Sequence, residues 1–309
     1  MKAGQFVLLV IIFILLGAIS YLLYSLYLEL NAKPVSLISG NYNTSEYIID
    51  DGQLQFYPNM RFSTKTISYK IDELCDRKKT ARVKEAFLIL ERETELKFYE
   101  SENGEIEIVC NESGEMPKPG EYFIAGEGGP TSVINSSLFN VIESGKVLLF
   151  YEKSLCDNPN VELHEILHVL GFKHASNKNS IMYNVLGCEQ NLTLEILSEI
   201  KKIYSFDSLP DLYFNNVSAT KRGSYLDFDT DVRNKGLINA KNVSLNVFKG
   251  DNLVKIFELG DLNYGEGKIM SIRNLKVGSN TKEMKFVIIY NKQELEKKNN
   301  FITLSVGQD

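Results

Sequence analysis

His164-Glu165-Ile166-Leu167-His168-Val169-Leu170-Gly171-Phe172-Lys173-His174 holds all three histidines of a 309-residue chain. The five fixed positions of H-E-x-x-H-x-x-G-x-x-H coincide by chance on the order of 10⁻⁵ times in a chain this long, so the stretch reads as a site. On a helix His164 and His168 lie one turn apart and leave the same face, where both imidazoles reach one metal ion. Glu165 is rotated by about 100° from His164, which sets its carboxylate beside the metal to take a proton from a metal-bound water. Gly171 lets the chain leave the helix sharply, since glycine enters left-handed backbone space without a steric cost. His174 can then swing back as a third ligand. Three nitrogen ligands with one open vertex describe a catalytic zinc site, whereas a structural site is closed by a fourth side chain. Zinc held this way lowers the pKa of its water to about 7 and polarises a carbonyl. A non-catalytic zinc site is the alternative, and Glu165 speaks against it, because a structural ion needs no base beside it.

A second signal lies downstream. Ser180-Ile181-Met182-Tyr183 places a methionine eight residues past His174, the offset of a Met-turn, in which a methionine sits beneath the ligands. Together the two motifs resemble the metzincin metallopeptidases, and the tyrosine directly after the methionine is most similar to the matrixin branch. Two positions depart from the usual matrixin pattern: Asn184 stands in place of proline, and Ala175 in place of the serine after the third ligand. The resemblance implies that His164, His168 and His174 bind one catalytic Zn2+, that Glu165 is general base and later proton donor, and that Met182 and Gly171 support the site. It implies hydrolysis of internal peptide bonds in protein or peptide substrates, with zinc stabilising the oxyanion. Astacin-like relatives carry their metal-reaching tyrosine one position later, so Tyr183 takes no catalytic role. No further cofactor is implied; structural calcium stays open as an addition, though no residue pattern indicates it.

The surrounding pattern is that of an α+β catalytic domain, a mixed twisted sheet with helices, over residues 58–208. Thr66–Ile71 alternates as a strand, and Lys79–Glu93 carries Val83, Ala86, Phe87 and Leu90 as the apolar stripe of a helix. Leu96–Glu100, Ile106–Cys110 and Gly145–Tyr151 read as strands, and Leu192–Tyr204 as a helix. The family resemblance makes the Gly145–Tyr151 strand the sheet edge that pairs with extended substrate. Gly126-Glu127-Gly128-Gly129-Pro130 reads as a loop, either beside the cleft or an ordinary surface turn.

The ends of the chain set location and partners. Ala3–Leu28 has no charge, and Phe6–Tyr24 is almost wholly apolar, long enough to span a bilayer core. Lys2 and the amino terminus precede it and Glu29 follows, so residues 1–30 read as an anchor with a cytoplasmic start and an exported catalytic domain, a single-pass protein of the cell membrane. A cleaved signal peptide is the rival. Residues 31–57 read as a polar juxtamembrane stalk. An exported domain with four cysteines suggests two disulfides, with Cys75–Cys110 and Cys156–Cys188 preferred and free thiols the alternative. Six Asn-x-Ser/Thr acceptors permit glycosylation without showing it. No cysteine precedes Cys75, so the propeptide cysteine that commonly keeps matrixins latent is missing.

From residue 209 to 309 about seven short alternating runs, separated by turns such as Asn234-Lys235-Gly236 and Gly250-Asp251, read as an all-β immunoglobulin-like sandwich. The Val232–Gly236 turn and the Glu296–Asn300 stretch are similar to the CARDB type of extracellular module. This second domain carries no catalytic constellation and reads as a spacer or as a module for a cell-surface ligand. A matrixin-like core joined to such a module suggests a prokaryotic source, an archaeon. A net charge of −6 speaks against a nucleic-acid partner. A membrane-anchored zinc endopeptidase is therefore expected, with a cell-surface adhesion or scaffold protein as the alternative.

Overall fold

The computed structural model describes residues 54–110, 125–150 and 158–306, which all fall in one compact unit. The apolar segment at residues 1–30 and Cys156 lie outside them. Among the described residues no helix is long and apolar enough to cross a membrane.

Among the described residues a six-stranded sheet packs against the helix on which the histidine motif begins. Its strands are β1 (Met60–Phe62), β2 (Thr66–Ile71), β3 (Lys97–Glu100), β4 (Ile106–Cys110), β5 (Gly126–Asn135) and β6 (Asn140–Leu149). The order is β1-β6-β4-β2-β3, with β5 paired to β6. All pairs are parallel except β5 with β6. A parallel β2–β3 pair needs a crossover, which α1 (Arg77–Glu93) supplies. Asp76 starts this helix by accepting from the Lys79 N–H at 2.8 Å, and Val83, Ala86, Phe87 and Leu90 bury its apolar stripe. Tyr69 of β2 stacks on Phe87 with ring centroids 4.3 Å apart. The expected disulfide forms: Cys75 and Cys110 join the start of α1 to the end of β4 across 35 residues.

Two expectations for the sheet are corrected. Gly126–Pro130 is not a loop but the first half of β5, paired from Gly126 with Leu149 to Pro130 with Gly145. The strand ending in Leu149 is consequently internal, with β4 on one side and β5 on the other; among the described strands the edge is β5. Turn-forming composition misleads here because the strand is stripped of side chains for a tertiary reason. Helix α2 (Asn160–Val169) lies so close that a Cβ on Gly128 would sit 2.2 Å from the Glu165 carbonyl oxygen. Pro130 is tolerated because an edge strand has a side without ladder bonds.

After α3 (Leu194–Ile203) come seven strands: β7 (Leu212–Arg222), β8 (Tyr225–Asn234), β9 (Ala240–Lys249), β10 (Asn252–Leu262), β11 (Gly267–Lys276), β12 (Glu283–Ile289) and β13 (Phe301–Ser305). They form sheets of order β10-β9-β12-β13 and β11-β8-β7 over a core that includes Leu226, Phe228, Leu245 and Phe286. The linker into this sandwich is paired: Lys235 N–H donates to Asp211 O and Leu237 N–H to Leu209 O, both at 2.9 Å. Phe139, Val141 and Leu237 form a small core between the two domains, and the Tyr264 hydroxyl donates to Glu143 at 3.0 Å.

Candidate active site

Every residue of α2 is buried, and the two ends of the helix are held differently. At its start Arg82 of α1 pairs with Glu162, Nε to Oε1 at 2.9 Å, and donates through Nη2 to Asn158 O at 2.9 Å. At its end Gly171 has φ +94°, which turns the chain back as expected for a helix stop. Three residues on, His174 returns to the other two histidines. The Nε2 atoms are 3.0 Å apart for His164 and His168, 3.2 Å for His168 and His174, and 3.3 Å for His164 and His174.

That triangle fits a metal ion. Nitrogens about 2.0–2.1 Å from a tetrahedral zinc lie about 3.3 Å from one another. The other ring nitrogens are engaged: His164 Nδ1 donates to Ile181 O at 2.6 Å, and His168 Nδ1 to Phe172 O at 2.7 Å. A neutral imidazole carries one N–H, so both Nε2 atoms face each other as lone pairs. Without a cation between them this is repulsive; with one it is a ligand set already oriented by its outer partners. Burial keeps the rings neutral, lowering the pKa of His164 to about 4, with the neighbouring His168 and His174 adding to the effect and the Ile181 carbonyl opposing it. His168 is lowered for the same first reason. Among the described residues no other group of acidic, cysteine or histidine side chains converges in this way.

Glu165 is 5% exposed. Burial raises its pKa to about 7, the negative charge of Glu127 adds to this, and a backbone hydrogen bond from Gly128 works against it. A dication held by the histidines would also pull it down. The side chain lies on the edge strand: a Cβ on Gly126 would come within 2.8 Å of Glu165 Cγ. Such a carboxylate, shielded and beside an edge strand, is suited to proton transfer.

The segment Ser180–Tyr183 is joined to the histidines through backbone groups: Ile181 O accepts from His164 Nδ1. Tyr183 N–H donates to Ser180 O at 3.0 Å, and Ala175 N–H to Met182 O at 2.7 Å, so turn and third-ligand loop are tied together. Met182 is 1% exposed in the main core. Cys188, just beyond, is disulfide-bonded; its expected partner Cys156 is outside the described residues.

The fold thus brings His164, His168, His174, Glu165, Gly171 and Met182 to one place. Sequence reasoning missed the carbonyls of Ile181 and Phe172, the glycines under Glu165 and the Arg82–Glu162 pair. Backbone acceptors carry no side-chain signature, and the glycines were visible only as turn formers.

Residues 61–205 match the model of the matrixin peptidase family. Two solved structures of a CARDB domain from Pyrococcus furiosus, one a crystal structure with di-metal ions and one an NMR structure, are similar at 18% identity. Each covers 32% of this chain, with 87% and 94% of its own length and a TM-score of 0.28. No curated protein sequence matches the chain.

Proposed function

We infer that this chain, whose residues 61–205 form a matrixin-type domain of the zinc metallopeptidases, is an endopeptidase that hydrolyses internal peptide bonds outside the cell. The observation that carries the reading is the triangle of Nε2 atoms at 3.0–3.3 Å with the buried Glu165 next in sequence. His164, His168 and His174 would hold the ion through Nε2, while the Ile181 and Phe172 carbonyls keep two of the rings aimed. A zinc ion held there would supply Lewis acidity, which lowers the pKa of a bound water to about 7 and polarises a carbonyl. Glu165 accepts a proton from the attacking water and returns it to the leaving amine nitrogen, so one water is consumed per bond cleaved. The β5 edge offers unpaired backbone groups to an extended peptide, with Gly126 and Gly128 letting that strand lie against the base. Met182 and Gly171 support the ligand loop from beneath and at the helix end.

The uncharged segment Ala3–Leu28 supports a single-pass anchor with a cytoplasmic start, which places the active domain on the outer side of the cell membrane. The sandwich then serves as a spacer or as a surface-binding module.

The test is Glu165→Gln. It is expected to keep zinc and to lose peptide cleavage by at least ~100-fold, the usual scale for a general base. Equal cleavage by both forms, insensitive to chelator, removes the peptidase and leaves a metal-binding surface protein.

A further inference from the structure

The chain also reaches the metal centre from a side that the matched residues 61–205 do not cover. Leu54–Phe56, assigned to the stalk by sequence pattern, pairs with the loop that carries the third histidine. Phe56 N–H donates to Gly171 O at 2.9 Å and Lys173 N–H to Leu54 O at 2.8 Å, forming an antiparallel bridge between Gln55 and Phe172. Gly171 lies just past the helix C-cap Leu170, and this segment gives its carbonyl a backbone donor.

Gln55 anchors the pairing. It is 3% exposed, its Nε2 donates to Met60 O at 2.7 Å, and its Oε1 accepts from Met60 N–H at 3.0 Å. Phe172, held between the two backbone bonds, gives its own carbonyl to Nδ1 of His168 at 2.7 Å. The Phe56 ring meanwhile lies over the His168 ring, with centroids 5.8 Å apart and planes 24° from parallel. It stays 45% exposed, so the core does not depend on it for packing. None of these groups is a metal ligand: Phe56 and Phe172 act on the His168 ring or on the loop that delivers His174, and the Gln55 side chain ties the segment to Met60 of β1.

Resting on the reading of the three histidines as metal ligands, we propose that Leu54–Phe56 is a strap belonging to the metal centre. Gln55 and Phe56 are its positioning residues: they hold the 171–174 loop and the His168 ring, and so set how tightly the ion is kept. The physical reason is that ligands ordered beforehand lose less conformational freedom on binding. Groups one layer out from a metal change its affinity by about 10–100-fold.

The test uses the full-length chain in detergent as wild type, Phe56→Ala and Phe56→Tyr. Zinc retention is read against a graded chelator, and the visible spectrum of the cobalt-substituted protein is a second readout. Phe56→Ala is expected to release zinc about 10-fold more readily and to shift the cobalt bands. Phe56→Tyr, which keeps the ring, restores retention, and excess zinc returns the turnover lost by Phe56→Ala with KM unaltered. Equal retention together with identical cobalt spectra in wild type and Phe56→Ala overturns the strap. Both readouts work without any cleavage, so zinc bound with no turnover removes the peptidase reading and not this one.

Discussion

Burial sets the protonation states around the ligands, and the two kinds of group respond in opposite senses. His164 is held down to about 4, so protons compete for its ring only in strong acid. Glu165 is held up, to about 7 before a cation acts, and a bound dication lowers the proton affinity of carboxylate and rings alike, so the carboxylate is expected to take up its proton at higher pH than the His164 ring. As pH falls from 7 towards 4, kcat/KM is therefore expected to drop while bound zinc is still present, activity going before metal. Parallel measurement of turnover and zinc content across that range decides this. Loss of both together above pH 6 would mean that the rings and not the carboxylate fail first.

Helix α2 is fitted to the edge strand by what that strand lacks and to α1 by one buried ion pair. At Gly128 a methyl group would meet the Glu165 carbonyl at 2.2 Å, whereas at Gly129 it would meet nothing within 4 Å. Gly128→Ala should cost about 1–3 kcal/mol, the scale of overpacking, and Gly129→Ala close to nothing; thermal melts of the pair separate a fitted strand from a generic glycine-rich one. Arg82 and Glu162 are 7% and 1% exposed. Removing one partner strands a buried charge, so Arg82→Ala should cost roughly 3–5 kcal/mol. Replacing both, as Arg82→Met with Glu162→Leu, should cost much less. If the single and double variants unfold at the same denaturant concentration, the pair does not anchor α2. Arg61 plays a comparable part at the far end of the domain. Fully buried, it donates to Ile203 O at 2.7 Å and Phe206 O at 3.0 Å and lies 4.4 Å over the Tyr204 ring, tying β1 to the end of α3.

The two domains share a core. Phe139 and Val141, on the β5–β6 hairpin, meet Leu237 of the sandwich, and Ser136 Oγ donates to Lys235 O at 2.9 Å. The same hairpin carries the edge strand, so the sandwich braces the surface on which we place the substrate. Leu237→Ala should cost about 2–5 kcal/mol and lower the temperature at which the proposed peptide cleavage is lost. Were the sandwich an independent spacer, heat inactivation would be unmoved. Much of this architecture was legible in the chain. Histidine spacing, the offset of Met182, the stripe of α1 and the seven alternating runs after Pro210 are local or periodic features, and periodicity follows from backbone geometry alone. What the chain could not disclose depends on approach between distant segments. Gly126–Pro130 has the composition of a turn and becomes a strand because α2 needs a surface without side chains. Leu54–Phe56 has the composition of a stalk and becomes a support because Gly171 O and Lys173 N–H lie where it can pair with them. Residue types declare which chemistry is available, but a carbonyl aimed at an imidazole, or a glycine beneath a carboxylate, acquires its meaning from the neighbour that folding brings to it.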